Sequence, residues 1–311
     1  MSTKNRWLVT SSVLLSVVAL PLLARRDGGS NGPPVSVVVT LEPRRGNTIP
    51  PVSQEDLKVT EAGQTRPVTG FQPLANAPTQ MLIMIDDSAR SSFDTLIPEV
   101  KQFVTALEPK TQVAVGYMEN GTTRLTSNFT SDHAAAAASV RVVKGPGGAD
   151  VSPYDSLQDA IKNWPKDEAQ RREAVMISSG IEGLGGGLIE NNPYVEAGVN
   201  AAQRAGLVVY GIYDPSVGHF GHSYFRNIWG QNFLAELADR TGGEFYNYIL
   251  GPPVNLTPFL DQILQAQHHQ YLLTLLPKPE SKSGLQPLQI SVVSKNASIA
   301  YPSRIYVKAS L

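Results

Sequence analysis

The chain has 311 residues, 26 of them Lys or Arg against 27 Asp or Glu, for a formal net charge of -1, and it contains no cysteine. That length allows one main domain and a smaller one. The near-neutral balance leaves no electrostatic footprint for nucleic acid, and the absence of thiols excludes disulfides, thiolate catalysis and cysteine-ligated zinc.

In chain order, Lys4 and Arg6 precede an apolar stretch from Trp7 to Ala24. Residues 1–24 read as a signal peptide or a membrane anchor, so the chain is expected to be exported, to the periplasm or beyond the cell. Contact with a membrane is expected only through this segment, if it stays uncleaved. Residues 25–34, rich in Gly, Pro and polar side chains, read as a flexible spacer. Residues 35–74 are strand-like, with runs at Val35–Leu41, Leu57–Glu61 and Arg66–Phe71.

Residues 79–267 alternate between apolar strands and amphipathic helices. Met81–Ile85 is a continuous apolar run, as expected of a strand covered on both faces. Phe93, Leu96, Ile97, Val100, Phe103, Val104 and Leu107 follow at helical spacing. Val113–Met118, Ala174–Ser178 and Leu207–Tyr213 read as further strands. Ser131 or Asp132 is placed to cap an alanine-rich helix, and helices are expected at Tyr154–Trp164, Tyr194–Arg204, Asn232–Arg240 and Leu256–Gln267. Residues 268–311 return to strands at Tyr271–Leu276, Leu288–Val293 and Arg304–Val307.

The pattern predicts an α/β fold, a Rossmann-like doubly wound and mainly parallel sheet, with a small β domain whose two flanks, 35–74 and 268–311, join in one sheet. Ligands of such sheets sit beyond the carboxyl ends of the strands. That selects the loops Asp86–Ser92, Gly145–Tyr154, Ser179–Gly187 and Asp214–Gly230, which carry Asp86, Asp87, Ser88, Ser91, Asp150, Ser152, Ser179, Glu182 and Asp214.

At Asp86-Asp87-Ser88 a strand ends in an Asp-x-Ser pattern that resembles the opening of a von Willebrand factor A (VWFA) domain. Three later segments are similar to that family's signatures. They are Gly147-Gly148-Ala149 with Pro153-Tyr154-Asp155-Ser156-Leu157, then Ile177-Ser178-Ser179-Gly180, then Leu237-Ala238-Asp239-Arg240-Thr241-Gly242-Gly243. The flanks, with Glu55 to Gly63, Pro67 to Phe71, His269 to Leu273 and Pro302 to Tyr306, resemble bacterial VWFA-related proteins of the kind common in Acidobacteria.

The resemblance implies a metal-ion-dependent adhesion site, in which Asp-x-Ser-x-Ser, a Thr and a second Asp hold an Mg²⁺-like ion through oxygen ligands. Here Asp86 and Ser88 match, the second serine position holds Arg90, the Thr position falls on Ala149 or Val151, and the second Asp is Ser179. A guanidinium cannot ligate a cation. The expectation is therefore a degenerate site without bound metal or other cofactor, in which Asp86 and Ser88 are the residues that would touch an ion. Asp87, Asp150 and Ser152 are the oxygens that could compensate by shifting it. Arg90 is placed either to pair with Asp86 or Asp150, filling the cation's position, or to lie solvated at the surface.

Other motifs give less. Ser179 to Gly187 lacks the spacing of a nucleotide loop, and His219-x-x-His222 lies in a loop without helical zinc-pair geometry. No Gly-x-Ser-x-Gly elbow occurs, and no histidine is designated as a base for Ser88. Phe220, Tyr224, Phe225 and Trp229 suggest packing over the sheet edge or an aromatic contact surface. The expected function is binding of a protein or other macromolecule through Asp86, Ser88, Arg90, Asp150, Ser152 and Ser179, not catalysis. The alternative is an envelope scaffold with no retained ligand site.

Overall fold

The structure is a computed structural model that describes residues 32–46, 48–145, 152–166, 169–183, 191–215, 224–248, 254–294 and 296–310. The expected signal peptide or anchor, residues 25–31 of the spacer, Ala149, Asp150, Val151, His219, Phe220 and His222 lie outside these residues. Near the end of the expected spacer, Gly32 is buried and its N–H donates to Pro277 O at 2.8 Å, while Pro33 and Pro34 are exposed.

The N-terminal flank forms β1 (Val35–Pro43), β2 (Leu57–Glu61), β3 (Gln64–Arg66) and β4 (Val68–Pro73). The continuous apolar run then forms β5 (Thr79–Asp86), buried at every position. The predicted helix after it begins as a 3-10 segment, Ser91–Leu96, and becomes α1 only at Ile97–Ala106. Pro98 explains the change, because a residue without an N–H is tolerated in the first turn of an α-helix and not in its interior.

Next come β6 (Thr111–Glu119) and β7 (Thr122–Thr130), a hairpin turned by Asn120 and Gly121, both at positive φ. Asp132 caps α2 (His133–Ser139) by accepting from Ala135 N. The remaining units of this domain are α3 (Pro153–Lys162), β8 (Arg171–Ser178), α4 (Pro193–Ala205), β9 (Leu207–Tyr213), α5 (Tyr224–Thr241), β10 (Phe245–Tyr246) and α6 (Thr257–His268). Helix α5 starts at Tyr224, so Phe225 and Trp229, expected in a loop, are helical. Trp229 and Phe233, one turn apart, pack ring against ring at 5.5 Å.

The six-stranded sheet runs β10-β9-β8-β5-β6-β7, parallel except for the β6–β7 pair. Successive residues of β5 face opposite layers. Met81, Ile83 and Ile85 join the core beneath α1, α2 and α6, whereas Leu82 and Met84 join the core beneath α3, α4 and α5. This is the doubly wound, mainly parallel sheet that the pattern predicts.

The C-terminal flank supplies β11 (Gln270–Leu275), β12 (Gly284–Val292), β13 (Ala297–Ala300) and β14 (Arg304–Val307). Both flanks do build one small β unit, but in two sheets and not one, ordered β13-β1-β11-β4 and β14-β12-β2-β3. Val39, Leu273 and Leu275 of the first sheet face Val59, Leu288, Ile290, Ile305 and Val307 of the second across a shared core. The facing apolar sides of the two sheets bury each other, while Val38 of β1 and Leu272 of β11 turn to the core of the central sheet.

The two parts meet at the amino-end edge of the central sheet. There Arg171, fully buried, donates to Thr79 Oγ1, Gln267 O and Gln270 Oε1, each at 2.9 Å. Glu173, equally buried, accepts from Gln270 at 2.8 Å and from Tyr210 at 3.2 Å, and its carboxylate lies 3.9 Å from Arg171. Removing one member of such a pair strands the other in a low-dielectric interior. Arg171→Met is expected to lower the free energy of unfolding by about 3–5 kcal/mol, measured by urea denaturation, with Arg171→Met/Glu173→Met recovering part of the loss. A single-variant loss below about 1 kcal/mol would show that this network does not hold the junction.

Candidate functional site

In this strand order β5 and β8 are neighbours from which the chain winds outward in opposite directions, so their carboxyl ends flank the topological switch point. Asp86 ends β5 and Ser178 ends β8, and the Ser178 hydroxyl donates to Asp86 Oδ2 at 3.2 Å. Ser88 closes the other side, its hydroxyl and its N–H donating to Asp86 Oδ1 at 2.7 and 3.0 Å. Asp86, Ser88, Ser178, Ser179 and Asp214 are all buried. Burial is the main force on the Asp86 carboxyl, pushing its pKa from the ordinary 3.8 up to about 6; the serine donors oppose this and the charge of Asp214 adds to it.

Asp87 has the opposite treatment. Arg141 takes its carboxylate with both NH groups, each at 2.8 Å, the Lys144 backbone N–H adds a third donor at 3.0 Å, and the Lys144 ammonium lies 3.5 Å away. Burial resists ionisation here too, yet these donors outweigh it and hold the Asp87 carboxyl below its usual range. The Arg141 guanidinium also lies 3.8 Å from the centre of the Tyr117 ring, and the Tyr117 hydroxyl donates to Arg141 O at 2.6 Å. The segment after α2 is thus clamped to the ends of β5 and β6.

The second and third loops are tied together as well. Ser152, which precedes α3, donates to buried Glu182 Oε2 at 2.9 Å, and the Tyr154 hydroxyl donates to Gly180 O at 3.0 Å. Gly180 has φ of +66°, and a Cβ there would come within 2.1 Å of Gly230 O. The loop after β8 therefore packs directly on the backbone of α5, in a space that only glycine fits.

Of the expected site residues, the structure brings Asp86, Ser88, Ser152 and Ser179 to one edge, with Asp150 outside the described residues. Arg90 precedes the 3-10 segment with its side chain exposed, beside exposed Ser91 and Ser92. Arg141 and Lys144 both approach Asp87, at 2.8 and 3.5 Å. Sequence reading missed Arg141, Lys144 and Ser178. The available signal was two basic residues, Arg141 and Lys144, between a helix and the glycine-rich loop, opposite adjacent aspartates.

The family resemblance implies a divalent ion held here by oxygen ligands. Both Asp86 oxygens already accept serine donors, burial draws the carboxyl toward its neutral form, and Arg90 and Ser179 replace an oxygen ligand and an anionic one. Among the described residues, no group of three or more His, Asp or Glu is arranged to hold a metal ion. The described residues do not fit such an ion.

No family model and no curated protein matches the chain. Among solved structures, BatB from Bacteroides thetaiotaomicron matches at 15% identity and a TM-score of 0.43, covering 60% of this chain and 96% of that one. The vWF domain of the type V pili tip protein Mfa5 from Porphyromonas gingivalis matches at 14% and 0.42, covering 61% and 94%. The VWA domain of SpRpn10 matches at 12% and 0.41, covering 60% and 94%. The chain is similar in fold to VWA-domain proteins. At these identities and scores the likeness is distant, and no ligand, partner or activity passes from those proteins to this one.

Two outcomes follow from the site. The folded chain holds a proton on Asp86 between about pH 4 and 6, where an unfolded chain has released it, so this residue's contribution to stability falls as pH rises through that window. Asp86→Asn is expected to be more stable than the parent by about 2–3 kcal/mol at pH 7.5, the difference fading toward pH 4; a difference that does not change with pH would refute the assignment. Calorimetric titration of the parent with Mg²⁺ or Mn²⁺ is expected to show no saturable binding. Micromolar binding that disappears in Asp86→Asn would restore the adhesion-site chemistry.

Proposed function

We propose that the chain is an exported recognition module that binds a protein or other macromolecule through the carboxyl-end loops of its central sheet, without a bound metal ion and without catalysis. Asp86 is the observation that carries this reading. It is a carboxylate buried at the switch point of the sheet, with serine hydroxyls for partners and a pKa raised mainly by desolvation. A group held at a cost to folding, where α/β sheets bind their ligands, points to a site. Exposed Arg90, Ser91, Ser92 and Val142 form part of its rim, the last 60% exposed beside the Arg141 clamp.

Catalysis draws no support from the described residues. Ser88 donates to Asp86, and His133, His268 and His269 lie near the amino-end edge, where His133 bonds Thr111 O and His268 faces Glu108. Export rests on residues 1–24 of the sequence; among the described residues no helix is long and apolar enough to cross a membrane. The scaffold alternative draws on the interlocking of the loops, which would also serve a surface that binds nothing.

Site-specific photo-crosslinking on the producing cells separates the two. A crosslinker at Arg90 or Val142 is expected to capture a partner that one at Lys58, in β2, does not. Capture should fall when Asp86→Asn is added. Because that variant is expected to be more stable than the parent at neutral pH, unfolding would not explain the loss. Equal yields from all three positions, or none, would favour the scaffold.

A further inference from the structure

The chain contains two Asn-Gly pairs, Asn31-Gly32 and Asn120-Gly121. In such a pair the backbone nitrogen of the glycine can attack the side-chain amide carbon of the asparagine, because no Cβ shields it. The structure treats the two glycines differently. Gly32 is buried, and its N–H donates to Pro277 O at 2.8 Å. Its nitrogen has to leave that carbonyl before it can react.

Asn120 and Gly121 are the whole loop between β6 and β7, closed by the Glu119–Thr122 pair. Both have positive φ, 49° and 70°, as in a tight hairpin turn. Asn120 is exposed and Gly121 half-buried, and among the described residues no backbone carbonyl accepts from the Gly121 N–H. Because β6 runs parallel to β5, with Met118 beside Asp86, the turn stands at the carboxyl-end edge. Glu119, next to it, holds Lys144 at 2.8 Å and Arg124 at 3.2 Å.

We propose that Asn120 is a modification site, at which the chain converts its own asparagine to aspartate and isoaspartate with water as the other reactant. The Gly121 nitrogen bonds to Asn120 Cγ and closes a cyclic imide. The bond from Cγ to the amide nitrogen breaks, and that nitrogen leaves as ammonia, taking the proton that Gly121 gave up. Water then opens the imide. Attack at Cγ leaves aspartate, and attack at the main-chain carbonyl leaves isoaspartate, with the main chain routed through the former side chain. Aspartate keeps the turn, since it tolerates positive φ, whereas isoaspartate lengthens it. Either product adds a carboxylate next to Glu119, whose partner Lys144 also lies 3.5 Å from Asp87. The reaction needs only the turn, and stands whether or not the carboxyl-end loops bind a partner.

Peptide mapping by mass spectrometry, after the whole folded chain has been held at mildly alkaline pH, tests it. The Asn120 amide is expected to be lost at least about tenfold faster than the Asn31 amide, and unfolding in guanidinium should bring the two rates together. Gly121→Asn tolerates the positive φ but adds a Cβ beside the attacking nitrogen. It should slow the loss at Asn120 about tenfold and leave Asn31 unchanged. Equal rates at the two asparagines in the folded chain, or an Asn120 that reacts only after unfolding, would overturn the site. Aspartate without any isoaspartate at position 120 would overturn the imide route.

Discussion

A guanidinium with no water around it must be satisfied on every side, and that requirement sets the architecture at Arg171. Its donors reach the start of β5 through Thr79, the end of α6 through Gln267 and the start of β11 through Gln270. Glu173 draws the same glutamines and Tyr210 of β9 to the same point. Three strands of the central sheet, a helix terminus and the first strand of the C-terminal flank are therefore fixed by one polar cluster. Buried ion pairs add little net stability over apolar packing, but they penalise any arrangement that leaves a member unpaired. Here that penalty attaches the β unit to the amino-end edge of the sheet and leaves the carboxyl-end edge to the loops.

At that far edge two adjacent carboxylates are treated in opposite ways. Asp87 meets Arg141 and Lys144, whose donors and charges overcome its burial. Asp86 meets hydroxyls and one N–H, which do not. The two arrangements depend on each other. The clamp on Asp87, continued by Gly145 N donating to Asp87 O at 3.0 Å, holds the segment after α2 against the strand ends. A fixed frame of that kind keeps a costly group such as Asp86 in place, since a loose loop would relax to let water reach it.

The legible parts of the fold were those whose signal is local. The apolar run of β5, the helical spacing along α4 and the Asp132 cap follow from sequence neighbours. Strand β7, Thr122–Thr130, was not legible as an apolar strand because it is a largely polar edge strand; Asn120-Gly121, a hairpin turn signal, was the clue present in the sequence. The strand-like runs of the flanks did not tell whether they close into one sheet or two, because β1 pairs with β11 and β2 with β12 across more than two hundred positions. At the site, Asp86 and Ser88 were visible through the motif they share with a family. Arg141 was not, since its pairing with Asp87 is set by where α2 ends and not by spacing along the chain.

The segments that carry the family resemblance serve two different ends. In the Leu237–Gly243 segment, the Thr241 hydroxyl accepts from Val209 N at 3.1 Å and donates to Leu237 O at 2.8 Å, fastening α5 to β9. A Cβ on Gly243 would stand 2.1 Å from Val209 O, so the chain passes there only as glycine. Gly180 meets the same constraint against Gly230. These positions report on backbone packing and say nothing about a ligand. Among the positions that would ligate an ion, Asp86 and Ser88 keep the resemblance, whereas Arg90 and Ser179 depart from it. A motif match can thus rest on residues that build the fold, and a fold does not by itself carry a function. The chemistry of the carboxyl-end edge therefore lies in Asp86, its serines and the loops clamped around it.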